Sequence, residues 1–131
     1  MKDVPLVAEF RNEWWIKDKT FEFLREHGIG YCCVDEPDLP RLPPPVVMAT
    51  SPIGYVRFHG RNKAKWFNHQ KMEERYNYEY SEDELRDWAV RMKILIPVVK
   101  KLFVFFNNHP RGQAVRNAIA MIKLLAAPGK S

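Results

Sequence analysis

Apolar residues gather in four short runs along the chain, each closing on polar side chains. Residues 5–11 (PLVAEFR), 29–35 (IGYCCVD), 53–59 (IGYVRFH) and 101–107 (KLFVFFN) are rich in Val, Phe, Tyr and Cys, a composition suited to buried strands. Between them the period changes to a helical one. Residues 17–27 carry Phe21, Phe23 and Leu24 and stop at Gly28, a residue suited to the left-handed position after a helix end. A sharper start lies at Ser81, which with Glu84 three positions on forms a capping-box pattern. Leu85, Trp88, Ala89, Met92 and Ile96 then recur at helical spacing until Pro97. A last helix is predicted over residues 111–126, with Ala114, Ala118, Met121, Ile122 and Leu125 on its packed side.

Strands that alternate with helices indicate a parallel sheet. The predicted class is α/β, with about four parallel strands and helices on one face. A complete eight-stranded (β/α) barrel takes roughly 250 residues, and this chain has 131. Residues 1–131 therefore read as one partial barrel domain, half of a TIM-barrel-like fold. Two connections are long. Residues 35–52 hold Pro37, Pro40, Pro43, Pro44, Pro45 and Pro52, which forbid a regular helix and argue against a central strand. Only residues 46–49 suit a short extended piece. Residues 60–80 are rich in Lys, Arg, Asn, Trp and Tyr. Loops of that length are functional lids or disordered segments.

Neighbouring residues of a strand point to opposite faces. Tyr55, Arg57 and His59 then oppose Val56 and Phe58, Glu9 and Arg11 oppose Ala8 and Phe10, Cys33 lies with Asp35, and Phe103 and Phe105 lie with Asn107. The apolar face should carry the helices. Glu9, Arg11, Asp35, Arg57, His59 and Asn107 are expected together on the other face, near the carboxyl ends of the strands, where barrel chemistry sits. An unpaired buried ion is costly, so two acids and two arginines read as a paired network. Such a network either fixes register or forms a site, and both readings stay open.

Composition changes this picture little. Hydrophobic residues at 46% and charged residues at 28% describe a globular chain. Twenty-one Lys and Arg against 16 Asp and Glu leave +5, a balance that favours phosphate-bearing or nucleic-acid partners. Cys32 and Cys33 are adjacent and point apart, so they form neither a disulfide framework nor a zinc set and read as buried thiols. No apolar run approaches the ~20 residues that span a membrane, and no leader pattern follows Met1. The expected compartment is the cytoplasm.

The candidate chemistry is sparse. His59 and His109 are the His residues at strand ends, and Glu9 or His59 could act as a base. No compact metal-ligand motif, no nucleophile elbow around Ser51 and no Gly-rich phosphate loop occurs, so neither metal nor cofactor is expected. His59, Gly60, Arg61 and Asn62, followed by Lys63, Lys65 and Trp66 and later Arg75, Tyr76 and Tyr78, interleave basic groups with rings. That pattern suits a phosphate backbone with stacked bases, and equally a solvated loop over the barrel mouth. Asn107, Asn108 and His109 precede the last helix, where they could hold an anion or cap the helix.

The strings VAEFRNEWW, ATSPIGYVRFHGRN, RYNYEYSEDELRDWA and FVFFNNHPRGQAVRNA occur in that order. Together they resemble the YecE family, domain of unknown function seventy-two, over residues 6–125. The resemblance implies a TIM-barrel-like fold for full-length members, of which this chain matches the C-terminal half, and it implies no activity. The site positions that it implies are Glu9, Arg11, Arg57, His59, Gly60, Arg61, Arg75, Tyr76, Tyr78, Asn107, Asn108 and His109. Three functions follow as expectations. One is a barrel that binds a phosphorylated or nucleic-acid ligand, with Arg57, Arg61 and Arg75 meeting phosphate. Another is a hydrolase-like barrel acting on a small substrate through Glu9 or His59. The third is a half barrel without independent activity that self-associates or needs a complementing half.

Overall fold

The computed structural model describes residues 4–127. Its elements are β1 (Val7–Ala8), α1 (Asp18–Glu26), β2 (Gly30–Asp35), β3 (Ile53–Phe58), α2 (Lys63–Trp66), α3 (Met72–Arg75), α4 (Glu82–Leu95), β4 (Lys101–Phe106) and α5 (Gln113–Ala126). The strands form one sheet in the order β1-β2-β3-β4, with all three pairings parallel. The α/β class and the four parallel strands are thus as expected from the alternating pattern.

Each element has a local cause. Ser81 caps α4 by accepting from the Glu84 amide at 3.1 Å, and the Glu84 carboxylate accepts from the Ser81 amide at 2.8 Å, the capping box read from the sequence. Helix α1 ends at Gly28, whose φ of +65° suits a residue without Cβ. Strand β2 is buried along its whole length, as a central parallel strand must be.

The core lies on one face of the sheet. Tyr31, Cys33, Val56 and Phe58 meet Phe21 and Leu24 of α1, Leu85, Trp88 and Met92 of α4, and Met121 of α5. Aromatic packing centres on Phe58, stacked on Phe106 at 4.4 Å and edge-on to Trp88 at 5.2 Å.

Three expectations need correction. The first strand shrinks to Val7–Ala8, because the chain leaves β2 for a turn in which Asn12 accepts from the Trp14 amide at 2.8 Å. The last helix starts at Gln113, since Arg111 (φ 59°) and Gly112 (φ 71°) are left-handed and break the helical path. Residues 46–49 form no strand; their side chains pack on the core from an irregular segment. The other face of the sheet carries rings along β3 and β4 before it becomes polar at the strand ends. Tyr55 stacks on Phe105 at 5.2 Å and lies 6.0 Å from Phe103, while both phenylalanines remain more than two-fifths exposed.

Candidate functional site

Glu9 is the hub of the open face. Its Oε1 accepts from Arg57 Nη1 at 2.7 Å, and its Oε2 pairs with His59 Nε2 at 2.9 Å and, more loosely, with Arg11 Nε at 3.5 Å. The Cys32 thiol donates to Oε1 at 3.8 Å. Three elements bring these groups together. Glu9 follows β1, Cys32 comes from β2, Arg57 from β3, and His59 is held one residue past β3 by its amide on the Asp35 carbonyl at 3.0 Å. Asn107 is placed likewise, its amide donating to the Phe58 carbonyl at 2.8 Å. Parallel pairing thus carries strand alternation from one strand to the next.

The electrostatics follow from this packing. Burial would raise the Glu9 carboxyl, but the hydrogen bond and charge of His59, and then those of Arg57, outweigh it and leave the carboxyl at about 2. Burial, with Glu9 next, pushes the Cys32 thiol up, so it stays a protonated donor. His59 is 3% exposed, and both of its ring nitrogens are engaged. The Asn107 amide nitrogen lies 3.2 Å from Nδ1, and Nε2 is the ring nitrogen that faces Glu9. Arg57 differs: among the described residues only its Nη1 is engaged, and its side chain is 29% exposed. Arg11 is more open still, at 70%.

Asp35 does not join this group. The register sets Asp35 beside Phe58, not beside Arg57, so its side chain points toward the helices. There it is 1% exposed and saturated. Its oxygens accept from Arg61 Nε at 2.9 Å and Nη2 at 2.8 Å, from the Tyr80 hydroxyl at 2.7 Å and from Trp88 Nε1 at 2.8 Å. The expectation of a common polar face therefore fails for Asp35, because a residue one step off in register faces the other way. Arg61 goes with it, since its Nη1 also binds Glu84 at 2.9 Å.

The remaining expected positions divide in the same way. The Gly60 amide donates to the Tyr80 hydroxyl at 2.8 Å, and its φ of +93° excludes most side chains. The Tyr78 hydroxyl is taken by Glu84, at 2.7 Å in its shorter contact. Asn108 is wholly buried and donates to the Tyr78 carbonyl and to Asn117 Oδ1, each at 2.8 Å, so it braces the fold and caps no helix. Helix α5 has no side-chain cap. Arg75 donates to the Trp66 carbonyl at 2.7 Å and lies over the Trp66 ring. Tyr76 reaches the open mouth, with its ring 6.1 Å from His59 and 6.2 Å from His109.

One residue escaped the sequence reading. Glu36 follows Asp35, so alternation turns it to the open side, and its Oε1 is buried without a hydrogen-bond partner among the described residues. Burial raises its carboxyl, with His59, Glu9, Arg11 and Arg75 as the charges within reach. Its signal was the strand period carried one residue past the end of β2. Among the described residues no group of three or more His, Cys, Asp or Glu forms a candidate metal set. No helix there is long and apolar enough to cross a membrane.

Comparison with known proteins identifies the family but no activity. UPF0759 protein YunF of Bacillus subtilis is 35% identical over 135 residues, covering 95% of this chain and 48% of that protein. A DUF72 family protein of Thermotoga maritima superposes with a TM-score of 0.91 at 45% identity, over 95% of this chain and 47% of the other. A DUF72 family protein of Enterococcus faecalis gives 0.87 at 31% identity, over 98% and 50%. The chain thus spans about half the length of these relatives. The family described as Protein of unknown function DUF72 matches residues 1–131, and the chain belongs to it.

Proposed function

We propose that the chain is the carboxyl-terminal half of a YecE-like (β/α) barrel whose mouth binds a small anionic, phosphorylated ligand through Arg57 and Arg11. The observation that carries this reading is the state of Arg57. Glu9 fixes one end of its guanidinium, while its remaining donors have no partner among the described residues at the carboxyl side of the sheet. The hydrolase-like alternative has less support, because Glu9 is held ionised by partners on both oxygens and both His59 nitrogens are occupied. A polynucleotide is also less favoured. Arg61 and Arg75 are committed within the fold and Trp66 is buried, so the basic-aromatic loop offers less than its sequence suggested.

Titration calorimetry with inorganic phosphate at low salt tests the reading. Arg57→Ala should weaken binding about tenfold or more, the size expected for charge-assisted hydrogen bonds. Equal affinity in the variant, or no binding by the unaltered chain, would refute it. Weakening as salt rises is expected as well.

A second reading concerns assembly and has its own support. Phe103 and Phe105 are exposed on the edge strand β4, and Val115, Ile119 and Ile122 are exposed at helical spacing on α5. Such surfaces and edges suit a complementing set of β/α units. Mixing the chain with the amino-terminal half of the Thermotoga relative should give a one-to-one complex in sedimentation analysis. A cooperative monomer indifferent to that half would count against a half barrel.

A further inference from the structure

Between the turn at Glu13–Trp15, the proline-rich segment after β2, and α4 lies a cleft of about 770 Å³. Its charged lining is Glu13, Asp35, Glu36, Asp38, Arg61, Asp87 and Arg91. Neither arginine has charge to spare. Arg61 is held by Asp35 and Glu84, and Arg91 by Asp87 at 3.1 Å and the Pro45 carbonyl at 3.0 Å. The cleft therefore presents carboxylates and repels phosphate. Trp14, 62% exposed, adds an aromatic face to the same wall.

Glu36 stands where this acidic cleft meets the basic mouth. It lines the cleft, yet the charges that reach it are those of His59, Glu9, Arg11 and Arg75. Its buried Oε1 has no donor among the described residues, a costly arrangement that an incoming donor would relieve. Resting on the anion-binding reading of the mouth, we infer that Glu36 is a ligand-recognition residue for a hydroxylated phosphate ester of the sugar-phosphate class. The phosphate meets Arg57 and Arg11, a hydroxyl donates to Glu36, and the carbon skeleton lies toward Trp14. A hydroxyl suits Glu36 better than an ammonium group does. The buried Oε1 lacks a donor among the described residues, and one hydroxyl supplies it without bringing a second buried charge. Burial, which raises the carboxyl, disfavours a charged pair there.

Two phosphate monoesters separate the parts of this inference. Methyl phosphate carries the anion without hydroxyls, whereas ribose 5-phosphate carries both. Ribose 5-phosphate should bind about tenfold more tightly to the chain, the gain of a hydrogen bond to a carboxyl group. Glu36→Leu should abolish that difference and leave methyl phosphate binding unchanged. Equal affinities for the two esters, or a preference that survives Glu36→Leu, overturn the role of Glu36 while leaving the anionic mouth intact. Failure of both esters to bind overturns the mouth and the inference together. Stability gives a separate readout. If Glu36 serves a ligand rather than the fold, Glu36→Leu raises the unfolding midpoint, because an orphaned buried carboxyl is replaced by an apolar side chain. A lower midpoint would assign Glu36 to the fold and overturn the inference.

Discussion

Asp35→Ala should destabilise the chain by about 3–5 kcal/mol, the range for removing one partner of a buried ion pair. Four donor contacts end on this one carboxylate, from Arg61 twice, Tyr80 and Trp88. None of the three partners is idle elsewhere. Arg61 also binds Glu84, the Tyr80 hydroxyl also accepts from Gly60, and Trp88 is wholly buried against Phe58. Removing the carboxylate leaves a half-buried cation, a buried indole N–H and a buried hydroxyl without their acceptor. Against a total stability of about 5–15 kcal/mol for an ordinary domain, that loss is large. Denaturant unfolding at neutral pH measures it, and a loss below about 1 kcal/mol would mean that water replaces the carboxylate. Asp35→Asn keeps the shape and one acceptor, so it should cost less than the alanine variant but remain destabilising.

Acid should weaken the fold through Glu9 in a defined window. The carboxyl falls from its ordinary 4.5 to about 2 in the folded chain. Above pH 4.5 it is ionised in both states, and its full contribution is present. Below that pH the unfolded chain takes up the proton first, and the contribution shrinks until it vanishes near pH 2. The depression corresponds to roughly 3 kcal/mol at neutral pH. In Glu9→Gln the slope of stability against pH should flatten between 4.5 and 2. An unchanged slope in that variant would show that another carboxylate governs acid unfolding. Glu36 acts with opposite sign. Its raised carboxyl favours the folded state while protonated, and that contribution is lost as pH rises through its folded value.

Much of this architecture was legible because apolar spacing and turn chemistry agree. Ser81 and Glu84 announced α4, and Gly28 the end of α1. The polar row was legible in part. Alternation within one strand correctly set Arg57 opposite Val56 and Phe58, but relating one strand to another needs the register, which no single segment encodes. For that reason alternation alone does not reveal that Asp35 faces the helices, nor that Asp35 and Glu84 are the carboxylate partners of Arg61. Glu36 was overlooked because it lies beyond the apolar run that marked β2. The two short helices α2 and α3 escaped because four-residue helices carry no period. The N-cap of α2 was nonetheless present in Asn62, which accepts from the Lys65 amide at 3.1 Å.

The strand order β1-β2-β3-β4 also bears on how the chain gains or loses material. No strand crosses over another, so each strand pairs only with the strands beside it in sequence. The longest closure needed to pair two strands runs from Phe58 to Lys101, and the entropy of closing a loop grows only slowly with its length. Pairing can therefore spread from β2 and β3 toward either end without rethreading. A gene of this kind could be lengthened, shortened or divided at an edge strand while the strands that remain keep their pairing.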